Sequence, residues 1–323
     1  MPWRQTPNVR SVYSAGGRRS VDAKISNFQQ AASLRRYTLT EGGANGLRVL
    51  DCDNGKIRFL LNESKALDIM QLYCEGKNIS FVSKNGFKAE QGDFLQRFEG
   101  GMVYTCGLDS VGAREGFPLH GTLHGRAAKI TRAECSNRGI FVEGEISDTA
   151  LFGKNLLLKR RIYSDIGSDT VTLKDTLVNL GFREEDYCLL YHVNVGYPML
   201  DEGAEIRAEI EEAIPRTPWA EERAAQRSII TAPVPEEEET CYFLRLKEPC
   251  VSLENKKIQK RFSLAYSGDT LPEFVQWKSM ASGDYALGLE PCTTKLDDGF
   301  HYSKIAPNEE ISFRLRLSVT PLD

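Results

Sequence analysis

Histidine is scarce in this chain of 323 residues, with copies only at positions 120, 124, 192 and 301. Any imidazole chemistry must come from that set. The eight cysteines, at 52, 74, 106, 135, 188, 241, 250 and 292, form no C-x-x-C pair and lack the density of a disulfide scaffold. They read as reduced, mostly buried thiols, and none is nominated as a nucleophile. Basic charge is not in excess: Lys+Arg 41 against Asp+Glu 45 gives a net charge of −4, without the electrostatic footprint of a nucleic-acid binder. The N-terminal stretch carries positive charge but no apolar signal core, and no run approaches the roughly 18 apolar residues that span a bilayer. No G-x-G-x-x-G follows a strand, and neither a phosphate-cradling loop nor an activated Ser or Cys is visible, so hydride, phosphoryl and acyl transfer lose ground. The expectation is a cytoplasmic protein with no nucleic-acid or membrane partner.

Period-two alternation is abundant. Ile311, Phe313, Leu315, Leu317 and Val319 alternate with Ser312, Arg314, Arg316 and Ser318, and similar patterns run through Leu156, Leu158, Arg160 and Ile162 and through Val171, Leu173 and Leu177. Gly, Asn and Asp punctuate these runs, as in DCDNGK, SDIGSD and LDDGF, which is turn chemistry. Helical periodicity is confined to residues 20–36 and to 202–229, where Pro215 and Pro218 allow only short helices or a strand followed by a helix. Length alone suggests about two domains. Strand spacing instead predicts an all-β chain: one large antiparallel β-sandwich over 37–323 with a few short helices, and an extension, 1–36, packed on it. The stretch APVPEEEET at 232–240 reads as a solvated surface loop, with an acidic partner site as the lesser reading.

Three segments carry polar groups where apolar ones belong. In 186–200, alternation puts Tyr187, Leu189, Tyr191, Val193 and Val195 on one face and Cys188, Leu190, His192, Asn194 and Gly196 on the other. Polar groups on such a strand are costly unless they are satisfied in the core or face a wet cleft, and both readings stand. In 283–294, Ala286 and Gly288 precede Glu290 on one face, so the carboxylate is either a cleft residue or a structural ion-pair partner. In 117–130, His120 and His124 have the spacing of a helical metal pair, but Pro118, Gly121 and Gly125 oppose a helix and no third ligand is evident. No metal site is assigned. Sugar-hydroxyl binding by the two histidines and Arg126 fits this segment better. One carboxylate and one imidazole, Glu290 and His192, suffice for proton shuffling on a polyhydroxylated substrate.

Taken together, TCGLDSVG (105–112), PLHGTLH (118–124), YHVNVGYPML (191–200) and QWKSMASGDYALGLEP (276–291) resemble the bacterial aldose 1-epimerase-like proteins of the galactose mutarotase-like superfamily, over roughly residues 37–320. The resemblance implies a β-supersandwich with an open concave sheet that holds a pyranose. It implies an enzyme that interconverts sugar anomers without a cofactor, as a monomer or homodimer. Glu290 would be the base that takes the proton from the anomeric hydroxyl, and His192 the acid that protonates the ring oxygen. His120 would contact the sugar near its ring oxygen, with His124, Arg126, Asp109, Asn194 and Lys278 as hydroxyl ligands. Glu290 and His192 are then expected on opposite sides of one cleft, about a pyranose ring apart and near His120. Arg161 is left between facing that cleft and pairing with Asp175. The Asn-Arg-Ile signature of galactose mutarotases is missing, and Val-Asn-Val-Gly replaces their aromatic run after His192, so galactose is not assumed. A phosphorylated sugar would need Arg114, Arg126 and Arg161 gathered around the cleft. A non-catalytic sugar binder, or an epimerase acting at another carbon, are the alternatives on the same scaffold.

Overall fold

A computed structural model describes residues 24–90 and 92–322. Among the described residues the first strands form a five-stranded antiparallel meander, β1 (Ser33–Thr38), β2 (Arg48–Asp53), β3 (Ile57–Asn62), β4 (Asp68–Cys74) and β5 (Lys77–Asn78). A one-turn helix, α1 (Phe94–Arg97), leads into β6 (Val103–Leu108). Four long strands follow: β7 (Lys129–Ser136), β8 (Gly139–Thr149), β9 (Asn155–Ser164) and β10 (Thr170–Asn179). Next come β11 (Glu185–Val195), β12 (Glu205–Arg207), β13 (Ile210–Pro215) and a second short helix, α2 (Pro218–Glu222). The C-terminal part holds β14 (Thr240–Leu246), β15 (Cys250–Asn255), β16 (Lys260–Tyr266), β17 (Glu273–Ser279), β18 (Ala286–Cys292), β19 (Ser303–Ile305) and β20 (Glu310–Pro321).

Two large antiparallel sheets dominate. One runs β12-β15-β16-β20-β10-β9-β8-β7; the other runs β13-β14-β17-β18-β11-β19, with β6 also paired to β11. Their inner faces meet through Phe313, Leu315 and Leu317 of β20, Val171 and Leu173 of β10, and Leu189, Tyr191 and Val193 of β11, all buried. This is an all-β sandwich of the kind that alternation predicts. The outer face of the β11 sheet is not bare. Cys106, Cys188, Leu190, Cys241, Val275 and Cys292 form a second apolar cluster there. Burial pushes the Cys106, Cys188, Cys241 and Cys292 thiols up, which suits packing and not nucleophilic attack.

The helix expected over 20–36 does not form in its described part. Residues 28–30 make a single 3-10 turn capped by Asn27, and Ser33–Thr38 pair with β2 in the register Ser33↔Asp53. A helix that short is marginal by itself, and a sheet edge that satisfies six residues of backbone outweighs it. Residues 1–23 of the expected extension lie outside the described residues, and β1 runs through its 36/37 boundary. The 202–229 stretch is strand followed by helix, with Thr217 capping α2 and Pro218 in its first turn.

Candidate active site

Glu290 and His192 are cross-strand neighbours. The register that pairs Leu190 with Cys292 and Asn194 with Gly288 sets His192 of β11 directly opposite Glu290 of β18. Their Nε2 and Oε1 atoms stand 3.3 Å apart, so the expected separation of one pyranose ring is corrected to direct contact. Gly288 makes this contact possible. A Cβ there would fall 2.3 Å from Glu290 Oε1 and 3.1 Å from both His192 Cε1 and Trp277 Cε3. The small face expected to admit a ligand therefore admits the acid–imidazole pair itself.

The pair lines the floor of a cleft of about 570 Å³. Phe94, Leu95 and Phe98, in and just after α1, form one wall, and Trp277 lies on the floor beside His192 with ring centres 5.5 Å apart. Phe98 and His120 approach the His192 ring to 5.3 and 5.7 Å. His120 reaches the cleft from a turn in which both it and Gly121 adopt positive φ, +63° and +75°. For a non-glycine residue that conformation carries strain, held here because Asp109 grips the next residue, accepting from the Thr122 N–H at 3.0 Å and the Thr122 hydroxyl at 2.7 Å. The Gly112 N–H donates to His120 Nδ1 at 3.3 Å, which leaves Nε2 as the protonated nitrogen.

Burial among rings and backbone controls the protonation of this cluster. Desolvation lowers His192 to about 3, with His120 adding to it, and lowers His120 to about 4. Glu290 moves the other way, well above the carboxylate range, because burial and then Glu239 outweigh the opposing pull of Arg216. Burial thus favours the uncharged form of both the carboxyl and the imidazole. Glu290 Oε1 and His192 Nδ1 are buried with no hydrogen-bond partner among the described residues. Buried polar atoms without partners are uncommon and mark a place where a ligand can supply them.

The remaining expected ligands go elsewhere. His124 is buried away from the cleft, with Nδ1 2.7 Å from Asp68 Oδ2 and its ring stacked on Tyr104. Arg126 pairs with Asp148 at 2.6 Å, and Asp109 is occupied by Thr122. Asn194 ties β11 down, donating to the Gly101 and His192 carbonyls at 3.0 and 2.9 Å. Lys278 points to the opposite face of β17 from Val275, Trp277 and Ser279, and its ammonium donates to the Gln226 and Ile229 carbonyls at 3.0 Å each. His301 is exposed, just after the turn at 298–299. Arg161 pairs with Glu143 at 2.6 Å on the outer surface, and it is Arg160, in register with the buried row of β9, that makes a bidentate contact with Asp175. Arg114 lies over the Phe300 ring, so the three arginines expected around a phosphate are not assembled.

Residues not anticipated complete the cleft. Arg216, after β13, lines it while bound in a fork to Asp297 at 2.7 and 2.9 Å. Glu237 and Glu239 come from the 232–240 stretch, which therefore borders the cleft and is more than a solvated loop. Glu239 accepts the Trp277 indole N–H at 2.6 Å. Among the described residues no His/Cys/Asp/Glu group is arranged to hold a metal, and no helix is long and apolar enough to cross a membrane.

The model of the family described as "Domain of unknown function (DUF4432)" matches residues 44–319. No curated protein matches the chain. Solved structures share its fold. A Klebsiella pneumoniae protein named as a proposed aldose 1-epimerase superposes with a TM-score of 0.80 at 19% identity, covering 91% of this chain and 86% of its own. A galactose mutarotase-like protein from Clostridium acetobutylicum gives 0.68 at 15%, covering 91% and 100%. The galactose 1-epimerase of Lactobacillus acidophilus gives 0.63 at 10%, covering 90% and 100%. At these identities the likeness establishes a galactose mutarotase-like fold.

Proposed function

We propose an activity for the chain, which belongs to the DUF4432 family: it interconverts the α and β anomers of an uncharged aldose at the Glu290–His192 pair. The observation that carries this reading is the pair itself, an acid and an imidazole in contact at the floor of a cleft, each with an unpartnered polar atom. The anomeric hydroxyl and the ring oxygen are both bonded to C1, so two adjacent groups reach both oxygens of a ring lying above them. The pair carries one transferable proton. As C1–O5 opens, one partner gives a proton to the ring oxygen while the other takes the proton of the anomeric hydroxyl, leaving an open-chain aldehyde. Rotation about C1–C2 and reclosure with the roles exchanged gives the second anomer. The resemblance assigns the base to Glu290 and the acid to His192; burial raises the carboxyl and lowers the imidazole, which favours Glu290 as the first donor, and reclosure uses the reverse assignment in either case.

The charges around the cleft favour an uncharged sugar. Its cations are already paired, Arg216 with Asp297 and Lys84 with Asp284 at 2.7 Å, while Glu237 and Glu239 offer acceptors to hydroxyls. Anomer exchange followed by NMR over a panel of neutral and phosphorylated aldoses tests the proposal. Wild-type protein should accelerate exchange of neutral sugars, and Glu290→Gln or His192→Asn should lower the rate by about 10²–10⁴-fold with an unchanged circular-dichroism spectrum. Sugar binding with exchange at the buffer rate would sink the enzymatic reading, and exchange confined to phosphorylated sugars would sink the substrate class.

A further inference from the structure

Behind the cleft lies a buried ionic chain that the reaction does not use. His124, on a 3-10 turn, presents Nδ1 to Asp68 at 2.7 Å, and its Nε2 stands 3.3 Å from Glu99 Oε1, an ion-pair contact short of hydrogen-bond geometry. Asp68, on β4, also receives the Thr105 N–H at 2.8 Å and the Arg160 guanidinium. Glu99 receives the Lys65 ammonium at 2.5 Å, and Arg160 forks onto Asp175, which accepts the Tyr191 hydroxyl. Three carboxylates (Asp68, Glu99, Asp175) thus face two permanent cations (Lys65, Arg160). A neutral imidazole would leave one buried negative charge uncompensated and has one N–H for two carboxylate neighbours, whereas an imidazolium balances the chain and turns an N–H to each. Tyr104 of β6, stacked on the His124 ring at 3.6 Å and 18°, presents a π-face suited to that cation.

Glu99 directly follows the cleft wall. Phe94 packs on His120 with ring centres 5.1 Å apart, and Phe98 packs on His192. The wall is also caught at its surface, with Ser83 and Asn85 donating to the Phe98 carbonyl, Lys88 donating to the Gln96 carbonyl at 3.2 Å and Arg97 paired with Glu90 at 3.0 Å, while Glu99 supplies its buried charged anchor.

We infer that His124 is a positioning residue for the sugar site: held as an imidazolium between Asp68 and Glu99, it fixes the 94–98 wall over His120 and His192 and so sets sugar affinity. Its partners hold the imidazole above its ordinary value despite burial, in keeping with this geometry.

The kinetic part rests on the proposed sugar reaction, whereas the clamp is tested without it. Nitrogen NMR of the wild type should show His124 doubly protonated at neutral pH, and hydrogen exchange should show residues 94–99 opening about tenfold faster in His124→Gln, as the ion-pair contact to Glu99 is lost. Glu99→Gln, which keeps the shape, should loosen the same segment if the first variant does not fold. With an exchangeable sugar, KM should rise as His124 deprotonates while kcat stays level, and that pH dependence should vanish in His124→Gln. A neutral ring at neutral pH, or unchanged exchange of 94–99 in both variants, overturns the clamp whatever the activity. A loosened wall in a protein that exchanges no sugar leaves the clamp standing and removes the enzymatic reading.

Discussion

His192 and His124 are buried to nearly the same degree, 6% and 7% exposed, yet the fold drives them to opposite states. His192 stands among Phe98, Trp277 and His120, with a carboxyl beside it that is itself held neutral, and desolvation prevails. His124 stands between carboxylates that it keeps ionised together with Arg160 at Asp68 and Lys65 at Glu99, and its partners prevail over the same desolvation. Burial alone does not set a histidine's charge; the ionisation of its neighbour does. The region behind the cleft is charged and ion-paired throughout, with His124 Nε2 its one imidazole nitrogen short of a hydrogen bond, and its pairs hold shape. The cleft floor is uncharged and unsatisfied, a design for receiving a ligand.

The largest expected effect falls on the ion-paired region. Arg160→Met should leave Asp175 without its cation and Asp68 with His124 alone, and lower unfolding free energy by about 3–5 kcal/mol in urea titrations. Comparable loss from Glu290→Gln would break the distinction between the two regions, because that substitution replaces a carboxyl already held neutral.

Gly288→Ala should act the other way. Its Cβ displaces the end of the Glu290 side chain and not the backbone, so stability should fall by less than about 1 kcal/mol while anomer exchange slows by about 10²-fold, as misplacing a reacting group by about an ångström does. Normal exchange rates in this variant would show that contact between Glu290 and His192 is dispensable.

Lys278→Met removes the donor to the Gln226 and Ile229 carbonyls and should cost about 1–3 kcal/mol, with exchange kinetics within about twofold of wild type. A large rise in KM instead would return Lys278 to the sugar site.

The smallest effect is the most specific. An imidazole raised in the fold stabilises fully below its unfolded value of about 6.5 and loses that contribution as pH rises through the folded value, whereas one lowered to about 3 makes the fold lose stability as pH falls from 6.5 toward 3. Relative to wild type, His124→Gln should therefore flatten the stability curve on its alkaline side and His192→Asn on its acid side. Both variants changing the same limb would erase the contrast.

The Glu290–His192 pair of the candidate site could be singled out because a strand exposes its faces by parity. His192 and Glu290 each interrupt a row of apolar or small residues, and a polar group in such a row must be satisfied or functional. Arg160 carried the same signal in the row Leu156, Leu158, Arg160, Ile162, yet nothing in that row identifies its partner. Parity also separates Trp277 from Lys278 without saying which of them meets the cleft. Arg216, Glu237 and Glu239 carry no periodic signal at all, since they lie on segments whose positions depend on where the chain returns.

What the sequence determined by itself is the all-β architecture and the two polar residues that interrupt its strand rows in the candidate site, because alternation and turn chemistry act over a few neighbouring positions. What only the tertiary structure decided is the company those residues keep. The placing of Glu290 against His192, the removal of His124 to a carboxylate clamp, and the choice of Glu99 as anchor for the cleft wall all rest on contacts between distant segments. Burial and pairing there fix the charges, and neither can be read along the chain.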